Sequence, residues 1–265
     1  MTREELTKSF EQCRPQLKSF ILRMTAGVED SEDIVQETFI KAYSNINSFK
    51  EESSVKTWIF AIASNLAKDF LRSKKRWPEN VTDICKEAVL SDPPFFEELM
   101  HIRMTSDHGN FEVKEHIAFC FTCVSKSLPL EQHLTVLLKE VYEFKVKEIA
   151  EIMSTTEAMV KYYLHIGRTK MIDIFEKRCA LINKTGMCHQ CTELNGIFNP
   201  KQKTQEELVK IDMVRNAENK DKEYLFDLRM KIVQTIDPFE SGASELQLFL
   251  LTHHKKVMDK LLVEA

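Results

Sequence analysis

Helical periodicity runs through this chain with little punctuation, and that leaves few ways for it to fold. Only 6 of 265 residues are Gly and 7 are Pro, so the tight turns on which hairpins and barrels depend are scarce. Apolar residues recur at three- and four-residue spacing over 4–77 and 116–178, and again near 223–236 and 243–262. Breaks fall at Thr25–Gly27, Asn45–Ser54, Leu128–Pro129 and Ser154–Thr156. The expectation is an all-α protein in which each long segment can bury its own core.

Charge divides the chain further. Between Trp58 and Trp77 five Lys/Arg stand against one acid, whereas residues 78–115 carry nine acids and three bases. A net charge of −4 hides this segregation. Pro78, Pro93, Pro94 and Gly109 among those acids suit a linker with one short helix. The reading is therefore two helical domains, 1–78 and 116–180, joined by an acidic linker at 79–115. A cysteine knuckle and small helical C-terminal extension fill 181–265. The charged N-terminus lacks the apolar core of a signal peptide, and no apolar stretch nears the roughly 18 residues needed to span a bilayer. A cytoplasmic monomer without membrane insertion is expected, in which seven cysteines are free, metal-bound or redox-active.

In the first block Ser31 is the expected N-cap of EDIVQETFIKAY, with Glu32 and Asp33 in the first turn. Ile34, Val35, Thr38, Phe39 and Ala42 make an inward face, leaving Asp33, Gln36 and Glu37 outside. The next helix is expected from about Val55 to Arg76, with Val55, Ile59, Ala63, Leu66 and Phe70 as its core stripe. A second stripe of Trp58, Asn65, Asp69, Arg72 and Arg76, beside KKR, suits a nucleic-acid strand: an aromatic ring stacks on a base while cations hold phosphates. Periodicity alone also allows a solvated acidic face and a Trp that completes the core.

The strings SEDIVQETFIKAY and SFKEESSVKTWIFAIASNLAKDFLRSKKR closely resemble region 2 of sigma-70 family RNA polymerase sigma factors, in the small extracytoplasmic-function (ECF) type. The resemblance implies that the acidic helix, through Asp33, Gln36, Glu37 and Phe39, docks on the clamp helices of the polymerase largest subunit. It implies too that Asn47, Phe49, Trp58, Asn65, Asp69, Arg72, Lys75 and Arg76 open and read the −10 element, with one base flipped into a protein pocket.

Residues 130–175 read as a helix, a short helix VKEIAEIM, a turn at STT and a longer amphipathic helix, the order of a helix-turn-helix. Ser154-x-x-Glu157 matches a capping box. SLPLEQHLTVLLKEVYEFKVKEIAEIM resembles sigma region 4, implying −35 contacts from Thr156, Glu157, Lys161, Tyr162, Arg168 and Lys170. The chain departs from the family pattern at the turn, where Ser154-Thr155-Thr156 replaces Gly-Ile/Val-Ser. It departs also at Tyr163 and Ile166, where bases are usual.

HIAFCFTC at 116–123 places His116, Cys120 and Cys123 on one helical face, and Cys188 and Cys191 form a second CxxC pair. Buried free thiols, a structural zinc site built from these five residues, and a redox-responsive pair all fit. No cofactor is required by the rest of the sequence. The H-x-x-x-C-x-x-C string also resembles that of zinc-binding anti-sigma factors, but only over eight residues.

The sequence thus points to a non-enzymatic sigma factor whose partners are core RNA polymerase, promoter DNA and an anti-sigma factor. Two alternatives stand beside it: a helix-turn-helix regulator acting without polymerase, and a zinc or thiol sensor on a sigma scaffold. No nucleophile–base pair or Gly-rich phosphate loop is present.

Overall fold

The structure is a computed structural model that describes residues 1–50, 53–105, 113–179 and 220–264. These residues form helices α1 (Arg3–Thr25), α2 (Val28–Ser44), α3 (Val55–Leu71), α4 (Val81–Leu90), α5 (Pro93–Thr105) and α6 (Val113–Ser125). They continue with α7 (Leu130–Val136), α8 (Val146–Met153), α9 (Glu157–Arg178), α10 (Lys222–Thr235) and α11 (Ser244–Glu264), with no strand among the described residues. Two compact units result, Met1–Arg76 with Leu128–Gly167 and Trp77–Ser127 with Arg168–Ala265.

In the first unit, helix starts are fixed by side chains that satisfy otherwise orphaned amides. Thr2 and Glu5 form a capping box on α1, with Glu5 Oε2 accepting from the Thr2 N–H at 2.6 Å and Thr2 Oγ1 from the Glu5 N–H at 3.2 Å. Ser54 Oγ accepts from the Thr57 N–H at 3.0 Å and starts α3. Ala26, left-handed at φ 60°, ends α1, and Gly27 caps α2. The second helix is therefore capped four residues before the expected Ser31. The hydroxyl of Ser31 donates instead to the Val28 carbonyl at 2.6 Å, and Glu29 and Asp30 occupy the first turn.

Helices α1, α2 and α3 pack on one another, and α8 packs on α3. Leu6, Leu17, Ile21, Ile59, Ala63, Leu134, Leu137, Ile149 and Ile152 are fully buried in this unit. After α7 the chain widens into a π turn over Leu137–Val141, where the Tyr142 N–H reaches the Leu137 carbonyl at 3.1 Å. That turn delivers Tyr142 and Phe144 into an aromatic core. The Tyr142 ring lies edge-on to Phe20 at 5.4 Å and its hydroxyl donates to Ser19 Oγ at 3.2 Å. Phe144 sits 4.9 Å from Phe60. Gly167 is the contact point of α9 with α7: a Cβ there would lie 2.7 Å from Val136 Cγ2, so any larger residue overpacks the crossing.

The second unit holds more helix than the composition of residues 79–115 led us to expect. Two helices form there, α4 and α5, because Val81, Cys85 and Val89 make a buried stripe and Leu99 a further anchor. Helix α10 packs on α6, and α11 on α4 and α5. Phe226, Ile232, Leu246 and Leu251 of the C-terminal extension are buried here. Phe95 stacks on Phe249 at 4.6 Å, and the Ala243 N–H at the start of α11 donates to buried Glu115 Oε1 at 2.9 Å.

Candidate polymerase and nucleic-acid interfaces

Helix α2 presents Asp33, Gln36 and Glu37 to solvent while Ile34, Val35, Thr38 and Ala42 are buried. Glu37 also holds Lys41 one turn on at 3.0 Å, and Glu32 holds Lys18 at 2.7 Å. Phe39 is half-buried, its ring 4.9 Å from Phe10 and 5.8 Å from Tyr43. The acidic row is thus a polar surface backed by an aromatic edge.

Where the end of α2 meets α3, a cavity of about 330 Å³ opens, lined by Lys41, Asn45, Ser48, Trp58, Ile62, Asn65, Leu66 and Asp69. It brings Trp58, Asn65 and Asp69 together, and Phe49 leans on the Trp58 ring at 5.3 Å. Two local bonds shape the far wall: Asn45 Nδ2 donates to the Lys41 carbonyl at 2.9 Å and Ser48 Oγ to the Asn45 carbonyl at 2.7 Å. The lining is mixed, with Lys41, Asn45, Ser48, Asn65 and Asp69 polar and Trp58, Ile62 and Leu66 apolar. Arg72 holds Asp69 at 2.8 Å across an exposed pair.

Lys41 was missed by the sequence reading, which placed Asn45 and Ser48 in the −10 loop at Asn45–Ser54 without singling them out. Their signal was local: Lys41 and Asn45 are four apart on one helical face, and Ser48 follows in a 3-10 turn. Asn47 is exposed on the same turn but does not line the cavity. Helix α3 stops at Leu71, short of the expected Arg76, so Lys75 and Arg76 extend beyond it as exposed residues and not as a helical stripe. The next residue, Trp77, is buried, and its N–H donates to the Lys126 carbonyl at 3.2 Å. Partial burial of Lys68, reinforced by neighbouring Arg72, lowers its pKa from the ordinary lysine value.

The helix-turn-helix forms as α8, a turn and α9. Ser154 ends α8 in the left-handed region, so the cap of α9 passes from the expected Ser154 to Thr156, whose Oγ1 accepts from the Met159 N–H at 3.2 Å. Thr156, Glu157, Lys161 and Tyr162 are exposed and belong to the first unit. Arg168 and Lys170 belong to the second. There Arg168 Nη2 meets Asp227 at 2.8 Å and Glu223 at 3.1 Å, and Lys170 meets Glu79 at 3.4 Å.

Of the cysteine constellation, Cys188 and Cys191 lie outside the described residues. His116 and Cys123 are buried in α6, and Cys120 is half-buried. Burial pushes the His116 pKa down to about 4 and the Cys123 thiol well above its ordinary value, the latter helped by neighbouring Cys85 and Cys120. A partner that the sequence did not disclose is His254 of α11, whose Nδ1 lies 3.5 Å from Cys123 Sγ. Among the described residues no three His, Cys, Asp or Glu side chains come together as a metal site.

Comparison with known proteins bears on both helical segments. Residues 9–77 match the family Sigma-70 region 2, and residues 119–171 match Sigma-70, region 4. A probable RNA polymerase sigma factor of Haemophilus influenzae is 27% identical over 178 residues, covering 63% of this chain and 88% of that protein. The ECF RNA polymerase sigma factor SigM of Bacillus subtilis is 30% identical over 158 residues, covering 60% of this chain and 87% of SigM. The sigma factor RpoE of Bartonella quintana, solved with the anti-sigma factor NepR, aligns with a TM-score of 0.44 at 16% identity, over 65% of this chain and 98% of that one. This chain belongs to the sigma-70 family of RNA polymerase sigma factors, in its ECF branch. No helix among the described residues is long and apolar enough to cross a membrane.

Proposed function

We propose that this chain binds core RNA polymerase through the acidic face of α2, melts the −10 element at the α2–α3 cavity and reads the −35 duplex with α9. Asp33, Gln36 and Glu37 are the docking residues, with Phe39 fixing the face from behind. The cavity takes one flipped base: Trp58 and Phe49 offer stacking, while Asn65 and Asp69 offer hydrogen-bonding edges. Binding energy from polymerase and backbone contacts offsets the few kcal/mol of unstacking. The chain performs no catalysis itself in this scheme and acts in the cytoplasm as a monomer, open to capture by an anti-sigma factor. The observation that carries the reading is the assembly of Trp58, Asn65 and Asp69 around one cavity within residues that match region 2.

Segments 1–78 and 116–180 are the promoter-reading regions in this proposal, and 181–265 is an added extension. No cofactor is required. A zinc ion would draw on Cys188 and Cys191, and metal analysis of the purified chain, with and without Cys188→Ser, decides that point. Retention of core polymerase on the immobilised protein tests the main reading. Asp33→Lys should weaken capture at least tenfold, since it puts a cation on the docking face. Equal capture by both proteins, or none by either, would contradict it and favour a regulator that works without polymerase.

A further inference from the structure

In the second unit, Arg168 lies sandwiched between a ring and two carboxylates of the C-terminal extension. Its guanidinium is 4.8 Å above the Phe226 ring, while Asp227 Oδ1 and Glu223 Oε2 approach Nη2 at 2.8 and 3.1 Å. Phe226 is itself buried, so the stacking floor is fixed. The Arg168 side chain keeps 22% of its exposure, against 58% for Glu223 and 55% for Asp227. The cation is the covered partner, and the acids form its lid.

Further contacts hold α10 in register along the same part of α9. Arg229 lies 4.0 Å over Phe175, and Lys222 reaches Asp173 and Glu176 at 3.8 and 3.9 Å. The neighbouring cation, Lys170, is held by Glu79 at 3.4 Å. The Arg168 guanidinium donates from Nη2 to both carboxylates, and these are donors from which a phosphate would otherwise accept.

We propose that Glu223 and Asp227 form an intramolecular carboxylate clasp on Arg168, which competes with the DNA backbone for that side chain and holds back DNA binding until it opens. The inference rests on the reading of α9 as a DNA-contacting helix. It assigns the extension an inhibitory role through one named side chain.

Phosphate contacts are indifferent to sequence, so the test needs no known promoter. The full chain is titrated against a fluorescent random-sequence duplex of about 30 base pairs by anisotropy, from about 50 to 200 mM salt. The double variant Glu223→Gln with Asp227→Asn should bind about threefold to tenfold more tightly at low salt, and its log K against log salt should steepen by about 0.9, one additional phosphate. Adding Arg168→Gln should remove that gain. A gain that survives Arg168→Gln is bulk charge and overturns the clasp, as does a double variant indistinguishable from the parent. Lys161→Gln separates the underlying reading: Lys161 is exposed, so its loss should weaken binding in every background. If no variant binds and Lys161→Gln has no effect, the DNA-binding reading of α9 falls and the clasp with it.

Discussion

Ser154 carries a conformation that its side chain does not favour. It ends α8 at φ 51° and ψ 49°, where an L residue is disfavoured by roughly 1 kcal/mol and glycine is not. The tight turn requires the geometry because α9 must start two residues later, on the Thr156 cap. Ser154→Gly should therefore raise stability by about 0.5–1 kcal/mol, seen as a higher Tm, with the turn unchanged. A lower Tm would mean that the serine hydroxyl does something the backbone geometry does not reveal. Asp69 makes a different point about single residues. Its role in the cavity depends on Lys41, Asn45 and Ser48 arriving from the end of α2 and the turn that follows it, so position alone marked it only as one member of a polar stripe.

At the level of elements, α6 and α11 hold two buried histidines that make the second unit sensitive to acid. Burial lowers His116 to about 4 and His254 to about 3, the latter with help from His253 and His116. An unfolded histidine takes up its proton near 6.5, while the folded ones stay neutral well below that. Above pH 6.5 both states are neutral and stability is complete. As pH falls from 6.5 towards about 4, only the unfolded chain gains protons, so stability is lost across that window. Fluorescence of buried Trp77 in a Trp58→Phe background should report the loss, and His254→Leu should flatten it. A pH-independent transition in the parent would contradict this assignment.

The elements also show how far sequence reasoning reaches. The helices expected near 223–236 and 243–262 form as Lys222–Thr235 and Ser244–Glu264, since amphipathic spacing and the Asp221 cap are local signals. The end of α3 was not legible. Lys74, Lys75 and Arg76 read as helix formers, but burial of Trp77 and its bond to Lys126 draw the chain away after Leu71. Residues 79–115 read as linker because acids and prolines outweighed the stripe of Val81, Cys85 and Val89, which is apolar enough to bury only when α6 and α11 supply the other side. The Cys123–His254 contact joins residues 131 apart and left no mark in local spacing.

At the scale of the molecule, the first unit sets a requirement on function. Helix α3, which carries the residues proposed to read the −10 element, packs on α8 of the helix-turn-helix, with Phe60 and Phe144 in contact. Promoter elements that their names place about 25 base pairs apart lie on the order of 85 Å apart along B-form DNA, against roughly 25 Å for a 17-residue helix. Reading both elements at once requires α8 to leave α3. Dyes at Ser73 and Lys147, both exposed, should move apart by tens of ångströms when core polymerase and promoter are added. An unchanged distance in a transcribing complex would show that the packed form itself is the working one.

The central claim is that this chain tells core polymerase where to start. It is tested most directly by incubating core polymerase with genomic DNA fragments, with and without the full-length protein, and sequencing transcript 5′ ends. The account predicts discrete start sites that appear only with the protein, preceded by shared −35 and −10 sequences, and lost with Trp58→Ala together with Asp69→Ala. Transcript ends that are the same with and without the protein would contradict it.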